Sequence, residues 1–300
     1  MLTSLKSLLQ SIVDYAGLFP PAQLSLAEAV SIYDQAQASS HRWMLDRFVI
    51  PAPRLPELLE ALATLADRQS SSPWSLSVIL SPNWAAELVQ LQTINSLVAA
   101  TSPPQIAIKA WEIAPLPPTE IPQVCQCLPP GIPAFFEIPF QAGLEVYIDA
   151  LRQTRTAAKL RTGGMTQAAF PDSSQLSQRI LTLAEAQIPF KATAGLHHPL
   201  PSKSPLTDQA NSPIANMHGF LNVALLAAFA NQQQISVEEA IALLEVSTIE
   251  QFDFTDTQVT WHDRALTVTE MMHTRQQFFH SFGSCSFQDP LTDLHTLGLL

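Results

Sequence analysis

The sequence predicts an α/β protein, specifically a (β/α)8 barrel of the TIM type, and three observations support this. Apolar runs rich in Ile, Val and Phe recur about every thirty residues, which is the length of a β–α unit. Most of these runs lack strict alternation, as parallel strands covered on both faces do. Helical patterns lie between them, and no Gly-x-Gly-x-x-Gly follows the first strand to favour a nucleotide-binding sheet.

Seven strands are expected in order, and a barrel needs an eighth. The seven are predicted at 11–16, 45–50, 75–80, 105–110, 133–138, 156–161 and 188–194. Our candidate for the eighth is 279–284, which precedes a short helix beginning at Asp289.

The predicted helices fill the gaps between the strands. The first opens with a capping box formed by Ser25 and Glu28, and the third has Ser81 as its cap and Pro82 in its first turn. The helices are predicted at 26–38, 54–68, 82–98, 118–127, 144–154 and 174–186.

A single domain is expected over 1–300, with an elaboration at about 200–278 where the regular strand spacing fails. This segment could serve as a lid, a dimer arm or both. It is predicted to contain a proline-bearing loop, helices over 217–231 and 236–244, and a hairpin pairing 251–253 with 259–261.

Composition narrows the function classes. Hydrophobic residues make up 47% of the chain, which is enough for a large core, and the net charge of −11 argues against nucleic acid or an anionic membrane as the partner. The three cysteines are too few for a disulfide framework, and no signal peptide is read, so a cytoplasmic location is expected. The sequence does not decide whether the chain forms a homo-oligomer.

Lysines stand in unusual places. Of the five in the chain, Lys109, Lys159 and Lys191 fall inside predicted strands, where an unpaired ammonium is costly. Strand alternation puts these three inward with Glu137 and Arg161, near the carboxyl ends where barrel active sites gather.

Two interpretations of this cluster remain. It could be a buried ion-pair network around Glu137. However, four cations face this one predicted acid, and an excess of positive charge in a narrow mouth favours an anionic ligand such as a carboxylate or phosphate. A lysine attacks a carbonyl only when neutral, and a neighbouring cation lowers its pKa, so a Schiff base on one lysine assisted by the other fits the pattern.

The segments Lys159-Leu-Arg-Thr-Gly-Gly164 and Lys191-Ala-Thr-Ala-Gly195 resemble the paired lysine strands of class I aldolases of the deoxyribose-phosphate aldolase kind. That resemblance implies a (β/α)8 barrel in which Lys159 forms the Schiff base and Lys191 is its pKa partner. It also implies phosphate binding at Gly163, Gly164 and Gly195. The chain departs from the family at Arg161, at the pair His197-His198 and in the long region after residue 200.

Histidines offer a different chemistry. His197 and His198 follow the seventh strand, and His218 opens an apolar helix soon after. Together with Glu137 they could hold a divalent metal, although no His-Glu-x-x-His spacing is present and loop histidines are often structural. Acid–base work by His198 is an equal candidate.

Two further loops could meet a ligand. Ser284, Cys285 and Ser286 follow the eighth strand, where backbone N–H groups could form an anion nest, or the loop could be a tight turn around an inert thiol. Asp14 ends the first strand and could either face the mouth and help a lysine or cap the turn.

The sequence therefore predicts an enzyme that acts on a small anionic carbonyl compound by lyase or aldolase-like chemistry. Lys159 and Lys191 would be catalytic, with Glu137 or His198 moving protons. Substrate binding is assigned to Lys109, Arg161, Gly163, Gly164, Thr193, Gly195, Asp14, Ser284 and Ser286. No cofactor is favoured, and a divalent metal is left open. The alternatives are a metal-assisted lyase, isomerase or hydrolase and a non-catalytic barrel that binds an anionic metabolite.

Overall fold

The computed structural model describes residues 1–64, 73–99, 106–140, 143–207 and 211–300. The strands are β1 Val13–Tyr15, β2 Leu45–Pro51, β3 Trp74–Leu80, β4 Ile106–Ile113, β5 Ala134–Glu137, β6 Ala157–Arg161, β7 Phe190–Thr193, β8 Ser202–Pro205, β9 Ile214–Met217, β10 Asp253–Phe254, β11 Gln258–Trp261, β12 Arg264–Thr267 and β13 Phe279–Ser284. The helices are α1 Thr3–Leu9, α2 Leu26–Ala38, α3 Leu55–Thr64, α4 Trp84–Ala99, α5 Ile121–Cys127, α6 Leu144–Thr154, α7 Ser173–Glu185, α8 Phe220–Asn231, α9 Val237–Leu244, α10 Val268–Gln277 and α11 Gln288–Thr296.

Eight parallel strands close into a barrel in the order β1-β13-β7-β6-β5-β4-β3-β2. The predicted fold class is confirmed, and the eighth strand is the predicted one. Helices alternate with these strands, and each strand's outward side chains pack against them in one large apolar core. Parts of three predictions lie outside the described residues, namely 65–68 of the second helix, residue 105 of the fourth strand and 208–210 of the proline-bearing loop.

The apolar run over 217–231 becomes α8, whose residues from Phe220 to Ala230 are all buried. This explains why the run has no polar face: the helix is covered on every side. Its one buried polar member, Asn222, donates hydrogen bonds from Nδ2 to the carbonyls of Leu243 and Val246, both at 2.8 Å. Those bonds tie α8 to the end of α9.

The elaboration before the last strand contains more structure than the sequence indicates. The predicted hairpin is present as β10 and β11, but a third antiparallel strand, β12, completes a small sheet. The predicted proline-bearing loop contains a second antiparallel hairpin, β8–β9. Helix α1 was also missed, because its apolar residues become informative only when they pack against α10 and β11.

Strand β4 carries a bulge that decides which side chains face inward. Leu76 of β3 pairs with Ile108, but the next residue, Ser77, pairs with Ala110. Lys109 is therefore the extra residue of the bulge, and it is exposed. Because β4 also continues to Ile113, Glu112 takes the inward place at its carboxyl end, and the predicted inward position of Lys109 is wrong.

Across the described parts of the chain, no helix combines the length and the apolar character that crossing a bilayer would require.

Candidate active site

A cavity of about 480 Å³ lies at the carboxyl ends of the barrel strands, the place where active sites of this fold gather. Polar and charged side chains of its lining include Glu112, Glu137, Lys159, Arg161, Thr193, His197, His198, Cys285 and Asp289. The β8–β9 hairpin contributes Ser204, Pro205, Leu206 and Met217. The segment that the sequence left as an elaboration therefore borders the cavity.

Beneath the cavity lies a closed polar cluster, which we call the inner layer: Asp14, Ser77, Glu112, Lys191 and Ser281. Lys191 Nζ lies 2.5 Å from Asp14 Oδ2 and also contacts Glu112 Oε1. Ser281 donates to Asp14 Oδ2 at 2.6 Å, and Ser77 donates to Glu112 Oε1 at 2.7 Å. Every side chain of this cluster is buried, and only Glu112 also lines the cavity.

Charge pairing fixes the protonation states in the inner layer. Burial alone would raise the pKa of Glu112, but the charges of Lys191 and Lys159 outweigh it and lower the pKa to about 2. The pKa of Asp14 is lowered for the same reason, by Lys191 and by Arg47. Burial lowers the pKa of Lys191, yet the charges of Asp14 and Glu112 raise it above its usual value. Lys191 is therefore a permanent cation.

Three charged residues above it form what we call the cavity layer: Glu137, Lys159 and Arg161. Lys159 Nζ lies 3.1 Å from Glu137 Oε2 and 3.5 Å from Glu112 Oε2. Arg161 binds Glu137 with two hydrogen bonds, of 2.8 Å and 3.2 Å. Burial favours a raised pKa for Glu137, but the charge of Lys159 and the hydrogen bond from Arg161 lower it.

The register of the strands explains these contacts. Glu137 pairs with Lys159, Lys159 with Lys191, and Arg161 with Thr193 on adjacent strands. Side chains at paired positions point to the same face of the sheet, so the acids and amines meet inside the barrel. The predicted common inward face of Lys159, Arg161, Lys191 and Thr193 is confirmed.

The balance of charge differs from the prediction. Instead of four cations facing Glu137 alone, Lys159, Lys191, Arg161 and Arg47 meet three carboxylates. Asp14 and Glu112 are the added acids, and Arg47 joins them through Asp14 at 3.5 Å. Arg47 also pairs with Asp46, 3.2 Å away, so the charges of the whole group balance. Within it, the cavity layer has two cations for one acid, and the inner layer has one cation for two acids.

The glycines after β6 and β7 allow two loops to touch. A Cβ on Gly163 would lie 2.6 Å from the Gly195 Cα, and Gly195 has a positive φ of 77°. Gly164, Gly195 and Thr193 line the cavity, as predicted for substrate contacts, whereas Gly163 packs behind Gly195. Larger residues at these positions would push the loops apart.

The histidines separate into two places. His197 and His198 line the cavity; His198 Nδ1 lies 2.6 Å from Asp293 Oδ2, and His197 Nδ1 lies 3.9 Å from Cys285 Sγ. His218 does not line it, because its Nε2 bonds to the Pro171 carbonyl at 2.8 Å. The predicted four-residue metal set is thus not gathered, and the described residues contain no cluster of three or more metal-binding side chains.

Besides Lys109, four predicted substrate contacts do not line the cavity: Gly163, Asp14, Ser284 and Ser286. Ser284 donates to the carbonyl of Ser286, and Ser286 Oγ accepts from the N–H of Asp289, so both hydroxyls hold their own loop. Neither serine lines the cavity. Asp14 is fully buried below the cavity, where it helps a lysine, as one of the two sequence alternatives states.

Sequence reasoning missed Glu112 as an inner acid, and the signal was faint. Glu112 faces inward like Ala110, two positions before it. This alternation can be recognised only when the strand is extended past Trp111 and a bulge is placed at Lys109. Ser77 and Ser281 carry no sequence signal, because single serines in apolar strands have many roles. Asp293 belongs to α11 and meets His198 only in the folded chain.

Comparisons of this chain with protein-family models, with curated proteins and with solved structures returned no match. The function is therefore argued from the geometry and chemistry of the cavity.

Proposed function

We propose that this protein is an enzyme that acts on a small anionic carbonyl compound through a Schiff base on Lys159, with lyase chemistry of the aldolase type. One observation carries the proposal: Lys159 is only 3% exposed, yet it lines the cavity between two carboxylates. A buried amine that meets a cavity of substrate size is positioned for attack on a bound carbonyl.

The first step requires a neutral amine. Lys159 would pass one proton to Glu137, whose Oε2 is 3.1 Å away and which is ionised at rest. The nitrogen lone pair would then form a bond to the carbonyl carbon as the C=O π electrons move to the oxygen, which takes the proton held by Glu137. The nitrogen would return one proton to Glu137, and transfer of that proton to the hydroxyl would let it leave as water and give the iminium ion. Cleavage of the neighbouring carbon–carbon bond would send its electron pair into this iminium to form an enamine, while the other fragment would leave as a carbonyl compound after its hydroxyl gives a proton to His198.

Lys191 would act through Glu112. The two lysines share this carboxylate, and Lys191 holds it by the shorter contact while Lys159 lies 3.5 Å away. Lys191 is in this view a positioning residue that holds Glu112 beside the Lys159 amine.

Arg161 and His198 complete the proposed set. Arg161 has a side chain 48% exposed beside the cavity, so its outer edge can bind a carboxylate or phosphate while its inner edge holds Glu137. His198 is oriented by Asp293 through Nδ1, which leaves Nε2 as the second ring nitrogen for proton transfer.

Borohydride trapping tests the proposal. The protein is treated with pyruvate or glyceraldehyde 3-phosphate and borohydride, and adducts are mapped by mass spectrometry. We expect a reduced adduct on Lys159 and none there in Lys159→Met. The exposed lysines, Lys6, Lys109 and Lys203, are internal controls for nonspecific labelling.

Labelling confined to these exposed lysines would contradict the proposal. If the same compounds raise the melting temperature without any adduct, the protein would instead be a barrel that binds anions without catalysis.

A further inference from the structure

The cavity wall is divided into two arcs by the order of the strands. Four neighbouring strands, β4 to β7, supply the charged arc, which consists of Glu112, Glu137, Lys159, Arg161 and Thr193. Among the described residues, the other four strands themselves, β13 and β1 to β3, supply no charged side chain to the cavity lining. Their contributions are Val49, Ile79 and Gly283, together with Ala16 directly after β1, and we call this second set the apolar arc. Beyond β13, Cys285 and, in α11, Asp289 also line the cavity.

The boundary between the arcs is sharp. Ile79 of β3 pairs directly with Glu112 of β4, so an isoleucine and a carboxylate lie side by side at the carboxyl ends of adjacent strands. A ligand large enough to reach both would meet charge on one side and hydrocarbon on the other.

Val49 shows that the apolar arc is not part of the ordinary core. It is 4% exposed, yet it lies in none of the three clusters of buried apolar residues that the described chain forms. Its neighbours Phe48 and Ile50 point outward and belong to the large core. The inward face of Val49 therefore borders the cavity, where a ligand could bury it.

Further apolar groups extend this surface. The loop after β1 brings Phe19, Pro20 and Pro21 to the cavity wall. From the β8–β9 hairpin, Leu206 and Met217 pack with Phe170, and all three also line the cavity. The hairpin thus adds hydrocarbon to the lining.

We infer that the ligand of this cavity is amphipathic: an anionic carbonyl head that meets the charged arc, joined to an aryl or branched alkyl group that meets the apolar arc. The identity of the head rests on the proposed function, whereas the apolar preference rests on the cavity alone. A sugar phosphate, with hydroxyls along its length, would have to desolvate them against Val49 and Ile79 without gaining hydrogen bonds. In an arylalkyl or branched 2-oxo acid, the carboxylate and carbonyl would contact the charged arc, and the hydrocarbon group would contact the apolar arc.

The test uses two acids without a reactive carbonyl, so that binding does not depend on Schiff-base formation. Lactate and 3-phenyllactate share one head and differ by a phenyl group. Their affinities are measured by isothermal titration calorimetry. We expect 3-phenyllactate to bind roughly tenfold or more tightly than lactate, since a few buried carbons in an apolar pocket give about this discrimination.

Substitutions by threonine then test whether the apolar arc causes the tighter binding of 3-phenyllactate. Val49→Thr and Ile79→Thr should reduce the ratio of the two affinities severalfold, and circular dichroism spectra that match wild type show that these variants are folded. The matched control is Val89→Thr on the exposed face of α4, where the ratio should stay at the wild-type value.

The inference is overturned if wild type binds both acids equally, if neither acid binds at millimolar concentration, or if the ratio is the same in Val49→Thr and Ile79→Thr as in wild type. Borohydride trapping with phenylpyruvate separates this result from the proposed function. Preference for 3-phenyllactate without an adduct on Lys159 would refute the Schiff base alone. An adduct with pyruvate without that preference would refute the amphipathic ligand alone.

Discussion

Lys159 and Lys191, the two buried lysines of the barrel, occupy paired register positions on the adjacent strands β6 and β7, but their surroundings differ. Lys191 is 1% exposed and belongs to the inner layer, where two carboxylates hold its amine and two serines hold those carboxylates. Lys159 belongs to the cavity layer, where its carboxylate contacts are longer, at 3.1 Å and 3.5 Å. It also borders about 480 Å³ of open space.

This difference separates a structural ion pair from a candidate reactive group. In the inner layer Lys191 makes the shortest contact to both acids, so removing it leaves Asp14 and Glu112 in a dry place with only the longer contacts to Arg47 and Lys159, each 3.5 Å. In the cavity layer, Glu137 has two cations and Lys159 has two acids, so the loss of one member leaves a partner for the rest.

The largest expected effect comes from replacing each lysine by methionine. Lys191→Met should lower the free energy of unfolding by roughly 3–5 kcal/mol, because Asp14 and Glu112 lose their main cation. Lys159→Met should cost clearly less, because Arg161 still pairs with Glu137 and Lys191 still pairs with Glu112. Urea titration followed by circular dichroism measures both, with Lys203→Met on the exposed hairpin as the control. Equal losses for the two buried lysines would break the distinction between the layers.

The pH dependence of stability tests the same distinction between the inner layer and the cavity layer. The pKa of Glu112 is about 2 in the folded protein and about 4.5 when unfolded. The unfolded chain therefore takes up the proton first, and the stabilisation is complete above about pH 4.5 and is lost as the pH falls toward about 2.

Glu112→Gln should be less stable than wild type at neutral pH, and the gap should narrow as the pH falls through that window. Denaturant titrations at several pH values give the gap directly. Glu57→Gln, at an exposed pair with Arg54, should stay close to wild type throughout. A gap that does not change with pH would mean that Glu112 is not a paired carboxylate.

A smaller loss is expected from Ser281→Ala. The hydroxyl donates to the buried carboxylate of Asp14 at 2.6 Å, and an unsatisfied buried acceptor costs about 1–3 kcal/mol. Ser31→Ala, exposed on α2, is the matched control for the same chemical change. If thermal or urea unfolding shows the two variants to be alike, the inner layer is not a closed hydrogen-bonded unit.

The smallest loss of stability is expected from Arg161→Gln, at about 1 kcal/mol or less, because its side chain is 48% exposed and solvent screens the pair with Glu137. Binding should respond more strongly: affinity for lactate should fall, since Arg161 supplies the exposed cation of the cavity layer. A large loss of stability with unchanged lactate affinity would assign Arg161 to the structural layer instead.

Much of the fold could be predicted from the sequence, because hydrophobic periodicity is set by residues close together in the chain. The strand recurrence and the capped helices predicted the barrel, and even the last strand was placed at its observed bounds, 279–284. The β8–β9 hairpin could not be predicted, since short strands with Pro and Ser resemble loops until they pair. Strand β12 was missed for the same reason.

The site was predictable in part. Regular alternation correctly put Lys159, Arg161, Lys191 and Glu137 inward. It failed at Lys109, because one extra residue in a strand reverses the facing of all that follows. Ser284 and Ser286, which were proposed as part of an anion-binding loop, do not line the cavity. Hydroxyls that satisfy their own loop look the same in sequence as hydroxyls that contact a ligand.

By itself, the sequence determined which residue types the barrel must accommodate: lysines within apolar strands, a glutamate two positions past an inward phenylalanine, and glycines where two loops meet. Only the tertiary structure decided which amine each acid holds, because Asp14, Glu112 and Lys191 are far apart in the chain and come within contact distance only when the barrel closes. Closure of the barrel also placed the charged arc opposite the apolar arc across the cavity. The order of neighbouring strands that produces this arrangement is a property of the whole sheet.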